Sequence, residues 1–312
     1  MKSCISFHLW LWSVMAASGF ASADVVYDSL CITDDQSYQG GAWSYCGGEG
    51  VYGKEYDVQI ADDMRLDAPY HIDRVTVDFV TFLGLCPDAV CVSLFSAEGE
   101  SCMPSSDADK HLEINGESVV CEEFDDFIFG LQGVRITVVL DPILLEAGRW
   151  FICTQPRGPD FGGQPYRSLA DCGGDFVCDA LRRDGGERNP CCAGSGIFGD
   201  TDWKRFDEGG FQLPVVPMRI EGIPAGDCVG GERVTAACKP GEGERLGKVV
   251  VKVRGGQAGG NVTALLDPPD PRHVSIPLDT RGRGKGKFRD VDDSAAHRVF
   301  LCDAVIDVPC GK

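Results

Sequence analysis

The chain has 312 residues and a formal net charge of −19. The charge is uneven: residues 227–312 carry 14 Lys and Arg against 12 Asp and Glu, whereas residues 24–226 carry 14 against 36, a net of −22. A body this acidic repels phosphate backbones and anionic lipids, which argues against nucleic acid and membrane surfaces as its partners. Cations, and neutral sugars that bind through carboxylates, remain possible ligands of this acidic body. Acid that only keeps a secreted protein soluble is the simpler interpretation.

The first 23 residues have the pattern of a secretory signal peptide. Lys2 gives a positive start, residues 5–20 are mostly apolar, and an Ala-Ser-Ala tripeptide allows cleavage after Ala23. A membrane anchor is the alternative, but the run is interrupted by polar residues and is shorter than the roughly 20 residues a spanning helix needs. A lipid-modified Cys31 is disfavoured, because the position three residues upstream holds Asp28 and not the required leucine. We therefore expect a soluble, secreted, extracellular protein without a membrane span.

The chain has 16 cysteines, of which one leaves with the signal peptide. In an oxidising compartment such a set indicates disulfides. Zinc is the alternative, but no C-x-x-C pair is present, and no histidine lies near the closely spaced pairs Cys86/Cys91, Cys172/Cys178 and Cys191/Cys192. The odd count leaves one cysteine unpaired or paired between chains. The predicted disulfide cysteines are Cys31, Cys46, Cys86, Cys91, Cys102, Cys121, Cys153, Cys172, Cys178, Cys191, Cys192, Cys228, Cys238, Cys302 and Cys310.

Apolar residues in 24–222 recur at every second position, the period of a strand with one buried face. The clearest runs are 75–80, 90–95, 134–140 and 150–154. Each is short and bounded by Gly, Pro or Asp, and only 178–183 suggests a short helix. Many short strands at such intervals predict an all-β sandwich of jelly-roll type.

Two stretches of this domain depart from alternation. In 56–66 the apolar positions keep their phase only if Asp62 points inward, so we expect a strand break or a bulge there. Residues 156–213 contain 12 glycines and four cysteines with little periodicity. A structureless loop of that length is uncommon in a compact domain. We therefore predict a disulfide-stapled excursion over one end of the sandwich.

A linker is predicted at 223–227, a Pro/Gly segment where the charge balance changes. The domain that follows, 228–312, contains five candidate strands: 248–253, 261–266, 273–278, 286–291 and 298–305. Their number and size indicate a small immunoglobulin-like or transthyretin-like sandwich. Its four cysteines allow three disulfide connectivities, among which sequence does not choose.

Basic residues stand at every second position near the end of this domain, with glycines at 282, 284 and 286 between them: Arg281, Arg283, Lys285, Lys287 and Arg289. On a strand they form one solvated basic face. One interpretation is a site for an anion or a polysaccharide. The other, which the sequence alone favours, is an edge strand protected by charge against pairing with another chain.

Four segments carry a resemblance to a known group of proteins: QIADDM at 59–64, IDRVTV at 72–77, LLEAGRW at 144–150, and 211–220. They resemble secreted bacterial β-sandwich proteins of uncharacterised function, which have an "ADDF"-type strand, an I-x-x-V strand, an L-x-x-G-x-Y/W strand and a similar closing strand. Met64 stands in place of the usual Phe, and the dense cysteines depart from the pattern. The resemblance covers most of 24–222 and implies a fold and an exported location. The tail resembles immunoglobulin-like units that act as spacers.

Catalytic motifs are missing from the sequence. The histidines of the mature chain, His71, His111, His273 and His297, form no pair with ligand spacing, and no G-x-S-x-G elbow occurs. A glycosidase needs two acids roughly 5 to 10 Å apart. Adjacent acids on a strand point to opposite faces, which weakens the candidate doublets Asp62-Asp63, Glu122-Glu123 and Asp125-Asp126.

Two binding chemistries are considered for the first domain. Calcium takes oxygen ligands, and turn-rich contexts supply Asp34, Asp35, Asp62, Asp63, Asp200 and Asp202, although solvated surface acid is the favoured interpretation. Glycans stack on exposed aromatic rings, and loop segments supply Trp43, Tyr166 and Trp203. The prediction is a non-catalytic, extracellular binding, adhesion or structural protein with polysaccharide or cell-surface components as partners. The alternative is a carbohydrate-active hydrolase that uses a carboxylate pair.

Overall fold

The structure is a computed structural model that describes residues 24–30, 40–43, 45–47, 56–81, 86–97, 101–128, 131–157, 166–169, 181–184, 202–205, 217–241, 246–267 and 272–310. The predicted signal peptide lies outside these residues. The described chain is built almost entirely from antiparallel strands, with a single 3₁₀ turn at Gly116–Ser118. The all-β sandwich prediction is confirmed.

The first unit contains two sheets of seven described strands each. Sheet A consists of β1 (Asp24–Asp28), β2 (Gly40–Trp43), β5 (Tyr70–Thr81), β8 (Val119–Ile128), β9 (Leu131–Leu145), β11 (Tyr166–Leu169) and β14 (Met218–Pro224). Sheet B consists of β3 (Tyr45–Gly47), β4 (Tyr56–Leu66), β6 (Ala89–Ser96), β7 (Lys110–Asn115), β10 (Gly148–Arg157), β12 (Leu181–Asp184) and β13 (Lys204–Arg205).

The core of this unit lies between the two sheets. Alternate residues of β5 and β9, such as Val75, Val77 and Ile136, pack from sheet A against Val92 and Leu94 of sheet B. Each of these side chains is fully buried. The period-two runs of the sequence are therefore the inner faces of the sandwich.

Strand β4 runs through Asp62 without a break. Its pairing with β10 keeps one register from Gly148 opposite Leu66 to Cys153 opposite Ala61. The expectation of a strand break or a bulge at Asp62 is wrong, because this carboxylate is accommodated while only 2% exposed. Burial raises the pKa of Tyr27, and the negative charge of Asp62 raises it further, so the Asp62 carboxylate lies near the Tyr27 side chain.

The outer face of sheet B is also buried. A second apolar cluster contains Phe95, Phe151, Cys153, Leu181 and Trp203. The last two residues belong to the segment 156–213, whose described strands β12 and β13 extend sheet B itself. Because Leu181–Asp184 is strand β12, the short helix suggested at 178–183 is wrong over residues 181–183.

The second unit is a smaller sandwich of two sheets. The three-stranded sheet consists of β15 (Arg233–Lys239), β16 (Gly247–Arg254) and β19 (Gly284–Val291). The four-stranded sheet consists of β17 (Asn261–Leu266), β18 (Arg272–Pro277), β20 (Ala296–Leu301) and β21 (Ala304–Pro309). Val249, Val251 and Phe288 pack from one sheet against Val262 and Leu301 of the other. The single strand predicted at 298–305 is instead a hairpin, whose turn includes Cys302 at a φ of 49°.

Disulfides join segments that are far apart in the sequence in both units. The described pairs are Cys86–Cys121, Cys228–Cys302 and Cys238–Cys310. The last two select one of the three connectivities open to the second unit. Cys91 and Cys102 are also disulfide-bonded, whereas Cys31, Cys172, Cys178, Cys191 and Cys192 lie outside the described residues.

The segment 223–227, predicted as a linker, is hydrogen-bonded to both units. The backbone N–H of Ala225 donates to Pro69 in the first unit at 2.9 Å, and its carbonyl accepts from Thr263 in the second at 3.0 Å. Ile223 packs with Leu265 and Phe300 in a buried cluster. The two units are thus docked through this segment.

Candidate functional site

The six aspartates predicted as calcium ligands do not gather in the described residues. Asp62 and Asp63 lie on opposite faces of β4, where Asp62 accepts a hydrogen bond from the Asp63 backbone and Asp63 lies 3.4 Å from the Arg149 guanidinium. Asp202 is exposed. Outside the described residues lie Asp34, Asp35 and Asp200. No group of three or more His, Cys, Asp or Glu side chains in the described part of the chain could hold a metal ion, and calcium stays a prediction.

Two of the three aromatic residues predicted to bind glycans lie opposite each other on paired strands. Trp43 of β2 and Tyr166 of β11 are direct register partners at one end of sheet A. Trp203 is different: it is 5% exposed, and its ring packs edge-on against Phe95 and under the guanidinium of Arg183. The expectation that Trp203 is exposed is therefore wrong, because a ring buried on both sides offers no face to a sugar.

The described His297 has a structural role. His297 binds the carboxylate of Asp267 through Nδ1 and the carbonyl of Asp292 through Nε2, at 2.6 Å for the latter. The nearby Ser294 hydroxyl donates to the Asp292 carboxylate and not to the imidazole. This arrangement orders a turn and does not activate a nucleophile.

Among the carboxylate doublets, Glu122 and Glu123 are exposed on β8. Residues 125–126 fall where the pairing of β8 with β9 shifts, between Phe124 and Phe127. A catalytic carboxylate pair therefore stays a prediction.

The second unit carries a dense set of basic side chains on the solvent side of its three-stranded sheet. Register pairs Arg233 with Arg254, Lys239 with Lys248, and Lys252 with Lys285 across neighbouring strands. The outward positions of β15, β16 and β19, with Arg283 just before β19, form a grid of twelve. Nine of the twelve are basic and none is acidic: Arg233, Lys239, Lys248, Lys252, Arg254, Arg283, Lys285, Lys287 and Arg289. We call this grid the basic face.

All nine cations of the basic face are exposed. The remaining positions are Thr235, Ala237 and Val250. The residues between them point inward and include the buried Val249, Val251 and Val253. Apart from Val250, which is 6% exposed although its position is outward, this alternation makes the face a charged layer over an apolar core.

Like charges directly opposite each other destabilise a sheet. Protection of an edge against pairing requires charge only on the outer strands, and β19 is indeed an outer strand. It does not require Lys248, Lys252 and Arg254 on the central strand β16. The basic face therefore contains more charge than edge protection explains, at a cost in stability.

Glycines hold β19 close to the opposite sheet. A Cβ on Gly284 or Gly286 would lie 2.6 or 2.8 Å from side-chain atoms of Ile276. Because alternate positions of β19 are glycine, its basic side chains stand on a strand that is pressed onto β18. Gly282 is needed for a different reason: its φ is 65°, and a Cβ there would meet the Gly256 carbonyl at 2.0 Å.

One end of the basic face contains an open depression of about 600 Å³. Its lining combines cations with apolar groups: Lys252, Val253, Arg254, Pro277, Leu278, Asp279, Arg283, Gly284 and Lys285. Asp279 fixes the backbone and side-chain positions at this end of the basic face. Its carboxylate accepts from the backbone of Arg281 and from the backbone and guanidinium of Arg283, at 2.8 to 2.9 Å.

These hydrogen bonds, led by the one from the Arg283 side chain, lower the pKa of Asp279 to about 2. The carboxylate thus stays ionised and holds Arg283 in place. Among the described residues, Arg283–Asp279 is the ion pair that involves the basic face. The other eight cations form no ion pair with the part of the chain that the structure describes.

The alternating cations of 281–289 were recognisable in the sequence, but their extension across β16 and β15 was not. The signal existed in the two lysines of the 248–253 run and in Arg233 and Lys239. A single sequence does not reveal which strands are neighbours, and β15 was not among the predicted strands. The register of the paired strands shows that these cations share one face.

No helix of the described residues is long and apolar enough to cross a membrane. The resemblance to secreted β-sandwich proteins stays a prediction. No known protein family matches the chain, and no curated protein is similar to it.

Proposed function

We propose that this protein is a secreted, non-catalytic binding protein of the cell exterior that attaches to anionic polysaccharide through the basic face. The observation that supports the proposal is the nine-cation grid without an acidic member. Such a surface attracts polyanions at long range and holds them by many short-range contacts.

The class of polyanion follows from the rest of the chain. The body at 24–226 has a net charge of −22, which opposes the close wrapping that duplex nucleic acid or a lipid surface would require. The predicted export signal directs the protein to a compartment where polysaccharides are the abundant polyanions. A flexible polysaccharide chain can bind to the basic face without contacting the acidic body.

Export is tested first, by sequencing the N-terminus of the released protein. We expect it to begin at Asp24, the first residue of β1. An intact N-terminus on cytosolic protein with reduced cysteines would contradict secretion.

Binding is tested with immobilised dextran sulfate, polygalacturonate and neutral dextran. We expect the first two to retain the protein and neutral dextran to release it. The variant Lys252→Gln/Lys285→Gln/Lys287→Gln removes three cations from the basic face. We expect a loss of affinity of about 100-fold, since each cation near an anionic surface contributes roughly a factor of five.

The matched control is Arg65→Gln/Lys110→Gln/Arg205→Gln, which removes three exposed cations from the first unit. It has the same net charge as the test variant. We expect nearly unchanged binding from the control. Equal losses in the two variants would assign binding to overall charge and would contradict the basic face as the site.

A further inference from the structure

We infer that the ligand of the basic face is a linear polyanion that lies lengthwise along β19, with one anionic sugar unit seated in the depression beside Asp279. This inference rests on the proposed function and specifies the ligand and its direction. Three features of the second unit support it.

The first feature is the distribution of cations among the three strands. The column along β19 is continuous: Arg283, Lys285, Lys287 and Arg289 follow one another at every second residue. The β16 column is interrupted by Val250, and the middle of the β15 column holds Thr235 and Ala237. The longest uninterrupted line of positive charge therefore runs along β19.

The second feature is spacing. Alternate residues of a strand are separated by about 6.8 Å, so four cations span about 20 Å along β19. A chain that crosses the strands would meet at most three columns, about 5 Å apart. A polymer with an anionic group on successive units matches the lengthwise direction, whereas a single small anion uses only a fraction of the line.

The third feature is the depression at the Arg283 end of that line. Arg283 is pre-organised by Asp279, while Lys252, Arg254 and Lys285 surround the same space. Leu278, which is 6% exposed, and Pro277 add apolar surface to the lining. A sugar ring presents apolar C–H faces together with its anionic substituent, so this mixture suits an anionic sugar unit better than an inorganic ion. The volume is in the range of ordinary ligand sites.

The direction of the ligand is tested by removing equal charge from the two outer strands. Lys285→Gln/Lys287→Gln alters β19, and Arg233→Gln/Lys239→Gln alters β15. Affinity for dextran sulfate and for polygalacturonate is measured over a range of salt concentrations, with thermal unfolding as the check on folding. We expect the β19 pair to lose about tenfold or more and to flatten the salt dependence, and the β15 pair to lose about threefold or less.

The placement of one anionic sugar unit in the depression, here called the seat, is tested with trigalacturonate and a sulfated trisaccharide. We expect Lys252→Gln/Arg254→Gln to abolish binding of at least one, and Lys248→Gln/Arg289→Gln, which alters the opposite end, to retain it. Equal polymer losses from the β15 and β19 pairs would overturn the direction, and trisaccharide binding that survives Lys252→Gln/Arg254→Gln would overturn the seat. Both outcomes leave the proposed function standing, whereas wild-type protein that binds neither polymer overturns the proposed function itself.

Discussion

Arg298 of the second unit donates hydrogen bonds to both carboxylate oxygens of Asp141 in the first unit, at 3.1 and 2.9 Å. The same guanidinium lies 4.9 Å from the centre of the Phe300 ring, which packs with Ile223 and Leu265. Arg298 and Asp141 are 45% and 60% exposed, so water weakens their attraction. The apolar contacts beneath them should supply most of the stability of this interface.

The first prediction separates these two contributions. Phe300→Ala opens a cavity and should lower the free energy of unfolding by about 3 to 5 kcal/mol. Asp141→Asn removes the exposed ion pair and should cost about 1 kcal/mol or less. Urea unfolding followed by far-ultraviolet circular dichroism measures both. A larger loss for Asp141→Asn than for Phe300→Ala would show that the ion pair, and not the packing, holds the units together.

The second prediction concerns pH and His71, which lies on β5 between Leu144 and Ile223. It is 1% exposed, and neither ring nitrogen has a hydrogen-bond partner within the described part of the chain. Burial lowers the pKa of His71 from 6.5 to about 4, an effect that the charge of Asp303 opposes. The folded state therefore resists protonation more than the unfolded state does.

The sign follows from linkage. The unfolded chain takes up the proton near pH 6.5 and the folded one only near pH 4, so stability from neutral His71 is complete above pH 6.5 and is lost as the pH falls towards 4. The loss should be a few kcal/mol, roughly 3. His71→Leu should flatten stability across this window, and the exposed His273→Gln should leave the wild-type slope. An unchanged slope in His71→Leu would contradict the assignment.

The third prediction concerns the disulfides of the second unit. Cys228–Cys302 and Cys238–Cys310 close loops with sequence separations of 74 and 72 residues. Loop closure in the unfolded chain then predicts a loss of about 4 kcal/mol for Cys228→Ala/Cys302→Ala. The loss should appear in chemical unfolding of the oxidised protein. Adding a reductant to this variant and to wild type should narrow the difference, and a difference that persists unchanged would point to packing instead.

The fourth prediction concerns the repulsion between Lys252 and its register partner Lys285. Lys252→Thr removes a like-charge pair and places a β-branched residue in a strand, so stability at low salt should rise by about 0.5 kcal/mol. Binding to dextran sulfate should fall in the same variant. Lys252→Arg, which preserves the charge, should change neither property much. A Thr variant that is less stable than wild type and binds dextran sulfate fully would contradict the idea that Lys252 lowers stability and promotes ligand binding.

The strands of this fold were largely predictable, because burial of one face imposes a period of two on residues such as Val134, Ile136 and Val138. The exceptions have physical reasons. Asp62 keeps the phase of β4 although it is charged, because the register of six paired residues with β10 outweighs one buried acid. Trp203 is covered because the outer face of sheet B is itself apolar, and no local pattern reports what packs on a second face.

The basic face was predictable only in part. Its β19 column is local in sequence, whereas Lys252 meets Lys285 across 33 residues of chain, through the pairing of β16 with β19. Sequence alone therefore favoured edge protection, which needs a single strand. The central-strand cations, which depend on long-range pairing, change that balance.

The hydrogen bonds of residues 223–227 to both units have a consequence for how the molecule meets its surroundings. With the joint fixed, the negative body and the positive sheet form a permanent electric dipole instead of two independently turning charges. Near a negatively charged fibre such a particle aligns before it touches, with one pole drawn in and the other held away. Molecules arriving this way would coat the fibre with a common polarity and present the same outer surface to whatever approaches next.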